Sequence, residues 1–127
     1  MKTFEFSDLK VPIIQAPMAG GTNTPELVSE VANFGGVGSF GFAYTNSENI
    51  EKSLLITKKL TTGYINANFF VFKDIKLPEK KAQQICLEAL TSLPFDKEVE
   101  FKLPSDPFFL SLDDQLEPVW ESRPSIV

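Results

Sequence analysis

The sequence predicts an α/β fold built on a parallel sheet. Three observations carry this. Apolar runs alternate with amphipathic segments in the order strand, helix, strand, helix, strand, helix. The first run, "VPIIQA", is apolar almost throughout, as in a strand buried on both faces. The first two connections are short, which favours right-handed βαβ units over hairpins.

Taken in order, Val11–Ala16 is the first expected strand. In "GGTNTPELVSEVANFGG", Thr24 suits an N-cap and Pro25 the first helical position, where a missing N–H costs nothing. Leu27, Val28, Val31 and Ala32 then share a helical face, and Gly35 suits the C′ position after it. The second strand is expected over residues 36–42, "GVGSFGF". A second helix starts near "TNSEN" and runs to about Leu60, with Ile50, Leu54 and Leu60 as anchors. "YINANFFVF", Tyr64–Phe72, reads as the third strand. A third helix is expected over about Pro78–Leu93, its stripe made by Ala82, Ile85, Cys86, Ala89, Leu90 and Leu93.

Residues 94–112 carry three prolines and four phenylalanines and read as an extended excursion, with a short strand at "EVEFKL". "SLDDQLEPVWESRP" is expected to be a helix opening at Asp113 or Asp114, with Pro118 near its first turn. The closing "PSIV" reads as the beginning of a fourth strand.

Composition narrows the function classes. The chain has 127 residues, 43% hydrophobic and 23% charged, so it is globular in character. A net charge of −5 argues against nucleic acid and anionic membranes as partners. No run approaches the ~18 apolar residues of a membrane span. "MKTFEFSDLK" lacks a signal-peptide core, and one cysteine, Cys86, allows no internal disulfide. The expected location is the cytoplasm. There is no histidine, so the commonest general base and metal ligand is missing.

Residues 36–41, "GVGSFG", match G-x-G-x-x-G, the dinucleotide fingerprint. That motif needs a strand before it, a helix opening within it and an acidic residue about 20 positions on. Here a helix precedes it, and residues 53–73 contain no Asp or Glu. The alternative is a glycine-rich strand that lets another group approach its backbone.

Function in βα folds gathers at the C-terminal ends of the strands. Here those ends carry Ala16, Pro17, Met18, Ala19, Gly20 and Gly21, then Gly38–Gly41, then Asn68 and Phe69. The surface is small, apolar and rich in bare backbone, with one amide side chain. It suits a large flat heteroaromatic ligand such as a flavin, held by main-chain groups, with Met18 packing softly on the ring. The alternative is that the glycines only make turns.

The segments "PIIQAPMAGG", "TPELVSEVANFGGVGSFG", "NANFFVF" and "LDDQLEPVWESRPSIV" occur in an order that resembles the N-terminal part of the nitronate monooxygenase (2-nitropropane dioxygenase) family. The resemblance implies the N-terminal half of a (β/α)8 TIM barrel, a partial FMN-binding domain over residues 1–127. It implies that Ala16, Pro17, Met18 and Ala19 lie against the isoalloxazine and that Asn68 hydrogen-bonds to it. The implied reaction oxidises an alkyl nitronate with O2 to a carbonyl compound and nitrite. The FMN phosphate site and a histidine used by many members lie later in the family's chain. The related FMN-dependent enoyl-acyl-carrier reductases resemble the chain less, carrying "GGM" in place of "APM".

No catalytic residue and no metal site are expected within the chain. Cys86 and Trp120 are expected in the core, and the Asp113–Asp114 pair at a helix N-cap. A barrel takes ~250 residues, so the chain is expected to be truncated at the fourth strand. Such a half-barrel would be inactive without a C-terminal half, or a non-catalytic fragment that binds flavin weakly or self-associates through open sheet edges.

Overall fold

A computed structural model of the chain describes residues 4–72, 76–94, 100–103 and 109–127. These form two compact units, one of residues 1–71 with 109–127 and one of residues 72–108.

The first unit is an α/β layer of parallel strands, as the sequence predicts. Strand β1 (Val37–Gly41) pairs in parallel with β2 (Tyr64–Asn68), Val37 opposite Tyr64 and Gly41 opposite Asn68. The expected first strand is reduced to a parallel bridge between Ile14 and Val37, closed by Val37 N–H to Ile13 O and Gln15 N–H to Val37 O, both at 2.9 Å. The expected fourth strand is likewise a parallel bridge, between Asn66 and Ile126. The spatial order therefore follows chain order, all strands parallel, as in a partial (β/α) barrel.

The helices form for local reasons. Helix α1 (Pro25–Asn33) is capped by Thr24, whose Oγ1 accepts from Leu27 N–H at 3.3 Å, and Gly35 leaves it at φ 96°. Asn46 caps helix α2 (Ser47–Leu60) in the same way. Helix α4 (Leu112–Ser122) packs against α2.

One core joins these elements: Val28 from α1, Phe40 and Phe42 at β1, Ile50 and Leu54 from α2, Ile65 and Ala67 from β2, and Val119 from α4. Each large side chain buried there is worth ~1.5–3 kcal/mol of transfer free energy. Phe40 and Phe42 stack at 4.8 Å, and Phe69 leans on Phe42 at 5.8 Å. Strand alternation turns Val37, Ser39 and Gly41 to the other face, with Tyr64, Asn66 and Asn68. Phe4 closes on Tyr64 at the N-terminal end of that face, their rings 5.2 Å apart.

Several sequence expectations are corrected. Trp120 is 66% exposed, because the buried stripe of α4 is Gln115, Pro118, Val119 and Ser122. Asp113 and Asp114 do not cap that helix. Ser111 does, accepting from Asp114 N–H at 3.3 Å, and the aspartates lie in the first turn, where they complement the helix dipole. Pro118 lies in the second turn, seven residues in, and its buried ring replaces a backbone N–H that would have met Asp114. In α2 the third anchor is Thr57, fully buried, while Leu60 is exposed. Thr57 follows Leu54 by three residues and so continues the Ile50–Leu54 stripe; its hydroxyl donates to Ser53 O at 2.8 Å.

In the second unit, helix α3 (Lys80–Thr91) buries none of its residues, and Cys86 is exposed on it. The expected strand at Glu98–Leu103 lies partly outside the described residues, and residues 100–103 are not strand.

Candidate functional site

The site expected from the sequence is the C-terminal end of the sheet. After Gln15 the chain leaves β1, and Ala16, Pro17 and Met18 are exposed on its way to a turn at Gly20 and Gly21, both at φ 89°. Those values belong to the left-handed region that glycine enters without steric cost. Ala19 is half-buried.

Gly41 explains how this loop reaches the strand end. A Cβ on Gly41 would lie 2.7 Å from the Met18 carbonyl carbon and 2.8 Å from the Ala19 nitrogen. The Met18–Ala19 backbone thus crosses β1 at the point where a side chain would stand. On the other side of Gly41, in register, is Asn68, whose side chain is exposed and whose carbonyl accepts from Phe42 N–H at 2.9 Å. Ala16, Pro17, Met18, Ala19 and Asn68 therefore flank one strand end.

The glycine-rich strand does admit close approach, and the groups that approach are the protein's own backbone. Gly38 receives the Val28 carbonyl of α1, and Gly41 receives Met18 and Ala19. At both positions a Cβ would collide with main-chain atoms of this chain.

Sequence reasoning missed the side chains that shape the loop. Asn23 is buried. Its Oδ1 accepts from Met18 N–H at 3.1 Å, and its Nδ2 donates to Ala16 O at 3.0 Å and Ser39 O at 2.5 Å. Gln15 Oε1 lies 3.5 Å from Ser39 N–H, while its Nε2 is buried with no partner among the described residues. Asn66 Nδ2 donates to the buried Ser39 hydroxyl at 3.2 Å. Gln115, from α4, donates through Nε2 to Phe42 O at 2.9 Å and Thr45 O at 2.7 Å, fixing the turn after β1. No local signal marks Gln115: its burial follows from which face of α4 packs inward, and a polar side chain there must find partners.

A cleft of about 190 Å³ runs behind the loop, lined by Met18, Asn23, Gly41 and Phe42 among others. It is below the ~300 Å³ of ordinary ligand sites, whereas Ala16–Met18 and Asn68 are exposed. None of those residues is cationic, so nothing among them would clamp a phosphate. A second cleft, between α2 and α4, is lined by Glu48, Glu51, Glu117 and Glu121. No group of three or more His, Cys, Asp or Glu residues among those described could hold a metal ion. No helix among them is long and apolar enough to cross a membrane.

The chain is similar in sequence and fold to known proteins. The chain is 45% identical over 74 residues to a probable nitronate monooxygenase of Staphylococcus saprophyticus, a match covering 58% of this chain and 21% of that protein. It is 43% identical over 63 residues to a probable nitronate monooxygenase of Staphylococcus aureus, covering 50% and 18%. The chain thus spans about a fifth of the length of these curated relatives. Among solved structures, a nitroalkane oxidase from Streptomyces ansochromogenes superposes with a TM-score of 0.56 at 28% identity, over 66% of this chain and 23% of that one. The family model for nitronate monooxygenase matches residues 3–120, nearly the whole chain, and the protein therefore belongs to the nitronate monooxygenase family.

Proposed function

We propose that this chain supplies the flavin floor of an FMN-dependent nitronate monooxygenase that oxidises alkyl nitronates with O2 to a carbonyl compound and nitrite. The observation that carries the reading is the crossing of Gly41 by the Met18–Ala19 backbone with Asn68 beside it. That arrangement exposes main chain, a thioether and one amide on a single open face, a fit for the apolar ring and polar rim of an isoalloxazine.

In this reading Ala16, Pro17, Met18 and Ala19 bear one face of the ring, and the Asn68 amide meets its hydrogen-bonding rim. FMN, when bound, supplies the electron transfer from the nitronate and the reaction with O2. The chain's own residues bind and orient the ring and keep water from one side of it. Ala16, Pro17, Met18, Ala19 and Asn68 include neither an ionisable base nor a cation to clamp a phosphate, so other elements of the family's longer chains would have to supply both.

Visible absorption and flavin fluorescence of the purified chain, with and without added FMN, test the reading. A perturbed, protein-bound flavin spectrum supports it, and nitronate-dependent oxygen uptake should then follow once the rest of a family chain is added. A colourless protein that leaves the FMN spectrum unchanged would mean that this floor alone does not hold the ring, leaving a non-catalytic fragment.

A further inference from the structure

The ladder between the first segment and β1 does not continue past Val37, and one of its two missing bonds is lost for a covalent reason. Val37 N–H bonds to Ile13 O, and Gln15 N–H bonds to Val37 O. In a parallel pair the next two bonds would run from Ser39 N–H to Gln15 O and from the amide of residue 17 to Ser39 O. Residue 17 is proline and has no N–H. The Ser39 carbonyl, in a fully buried residue, would be left without a donor from that strand.

Two side-chain amides stand where the backbone fails. Asn23 Nδ2 donates to Ser39 O, and Gln15 Oε1 faces Ser39 N–H. Asn23 has further groups to offer and directs them at the same loop. Nδ2 also donates to Ala16 O, and Oδ1 accepts from Met18 N–H. Its bonds thus hold both ends of the exposed Ala16–Met18 segment and tie them to β1.

We propose that Asn23 is a positioning residue for the flavin floor. Its amide replaces the ladder bond that Pro17 cannot make and fixes the height of the Met18 backbone over Gly41. The positioning role rests on the flavin reading above; the clip itself does not. Asn23 is buried, and its effect passes through Ala16 and Met18.

The test is residue-resolved amide exchange on the full chain, together with FMN titration, for wild type, Asn23→Ala and Asn23→Asp. The Met18 amide lies in no helix or strand, so only the clip protects it. In wild type it should exchange more slowly than an amide without a partner. Asn23→Ala should speed its exchange by about tenfold or more while Val28 and Phe40 stay protected. Asn23→Asp keeps the acceptor for Met18 but loses both donors, so Met18 should stay protected while the tie to Ser39 is lost. Both variants should weaken FMN binding by about tenfold, an effect that misplacement of the floor produces.

An unprotected Met18 amide in wild type would overturn the clip without any variant having to fold. Lost protection with unchanged FMN affinity would overturn the positioning role. Failure of wild type to bind FMN would sink the flavin reading and the positioning role with it, leaving exchange alone to decide the clip.

Discussion

Replacing Gly38 with alanine should loosen the first helix from the sheet. A Cβ built on Gly38 lies 2.0 Å from the Val28 carbonyl oxygen, 2.8 Å from its carbon and 2.9 Å from Val28 Cγ1, whereas ordinary contact begins at 3.4 Å. Two of these atoms are helix backbone, which no rotamer change can move aside. Helix α1 would have to withdraw by on the order of 1 Å, opening the contact made by the fully buried Val28. Overpacking costs ~1–3 kcal/mol, and a clash with rigid backbone belongs at the upper end. A loss of about 3 kcal/mol is a large part of a small domain's ~5–15 kcal/mol. Urea unfolding followed by far-ultraviolet circular dichroism would show it, with a midpoint lowered by about 1 M or more for a slope of ~1–3 kcal/mol/M. Gly20→Ala is the control. Nothing lies within 4 Å of a Cβ there, but φ is 89°, so only the left-handed backbone cost of ~1–2 kcal/mol applies. A Gly38→Ala protein within about 0.5 kcal/mol of wild type, or a control damaged more than it, would refute the close-packing argument.

Gly41→Ala should act on binding more than on folding. Its Cβ meets the Met18–Ala19 backbone at 2.7–2.9 Å, and that exposed loop can lift away. The stability loss should stay near ~1 kcal/mol, while FMN affinity, read by fluorescence titration, falls about tenfold; an unchanged affinity would contradict the floor geometry. Gln115→Leu should destabilise the chain by ~2–3 kcal/mol, because it removes both bonds and strands the Phe42 and Thr45 carbonyls beside an apolar side chain. Thermal unfolding would measure it, and a neutral result would mean that water replaces the amide.

How much of this protein could be read from its sequence differs with the kind of interaction. Local order was legible. Thr24 before Pro25, Gly35 at a helix exit and the Ile50–Leu54 spacing each act within a turn or two of chain, and each helix stands close to where those signals place it. Parallel order was legible too, because short βα connections leave few topologies. The placement of the Met18–Ala19 backbone and Asn68 at one strand end follows in the same way, since strand ends converge on one face.

What depends on a partner distant in the chain was not legible. Trp120 looked like core by residue type, yet the buried face of α4 holds Gln115, Pro118, Val119 and Ser122 and leaves the indole outside. Val11–Ala16 was expected to be a strand, yet only a bridge forms there, Pro17 has no N–H for Ser39 O, and side-chain amides meet Ser39 instead. Asn23 reads in sequence as an ordinary loop residue; only folding brings Ala16, Met18 and Ser39 within reach of its one amide. The sequence by itself determined which segments coil, which extend and which face gathers the bare backbone, because those follow from propensity and period. Tertiary structure alone decided what fills the space beside Gly38 and Gly41 and what holds the floor in place, because those contacts join residues whose proximity no local rule specifies.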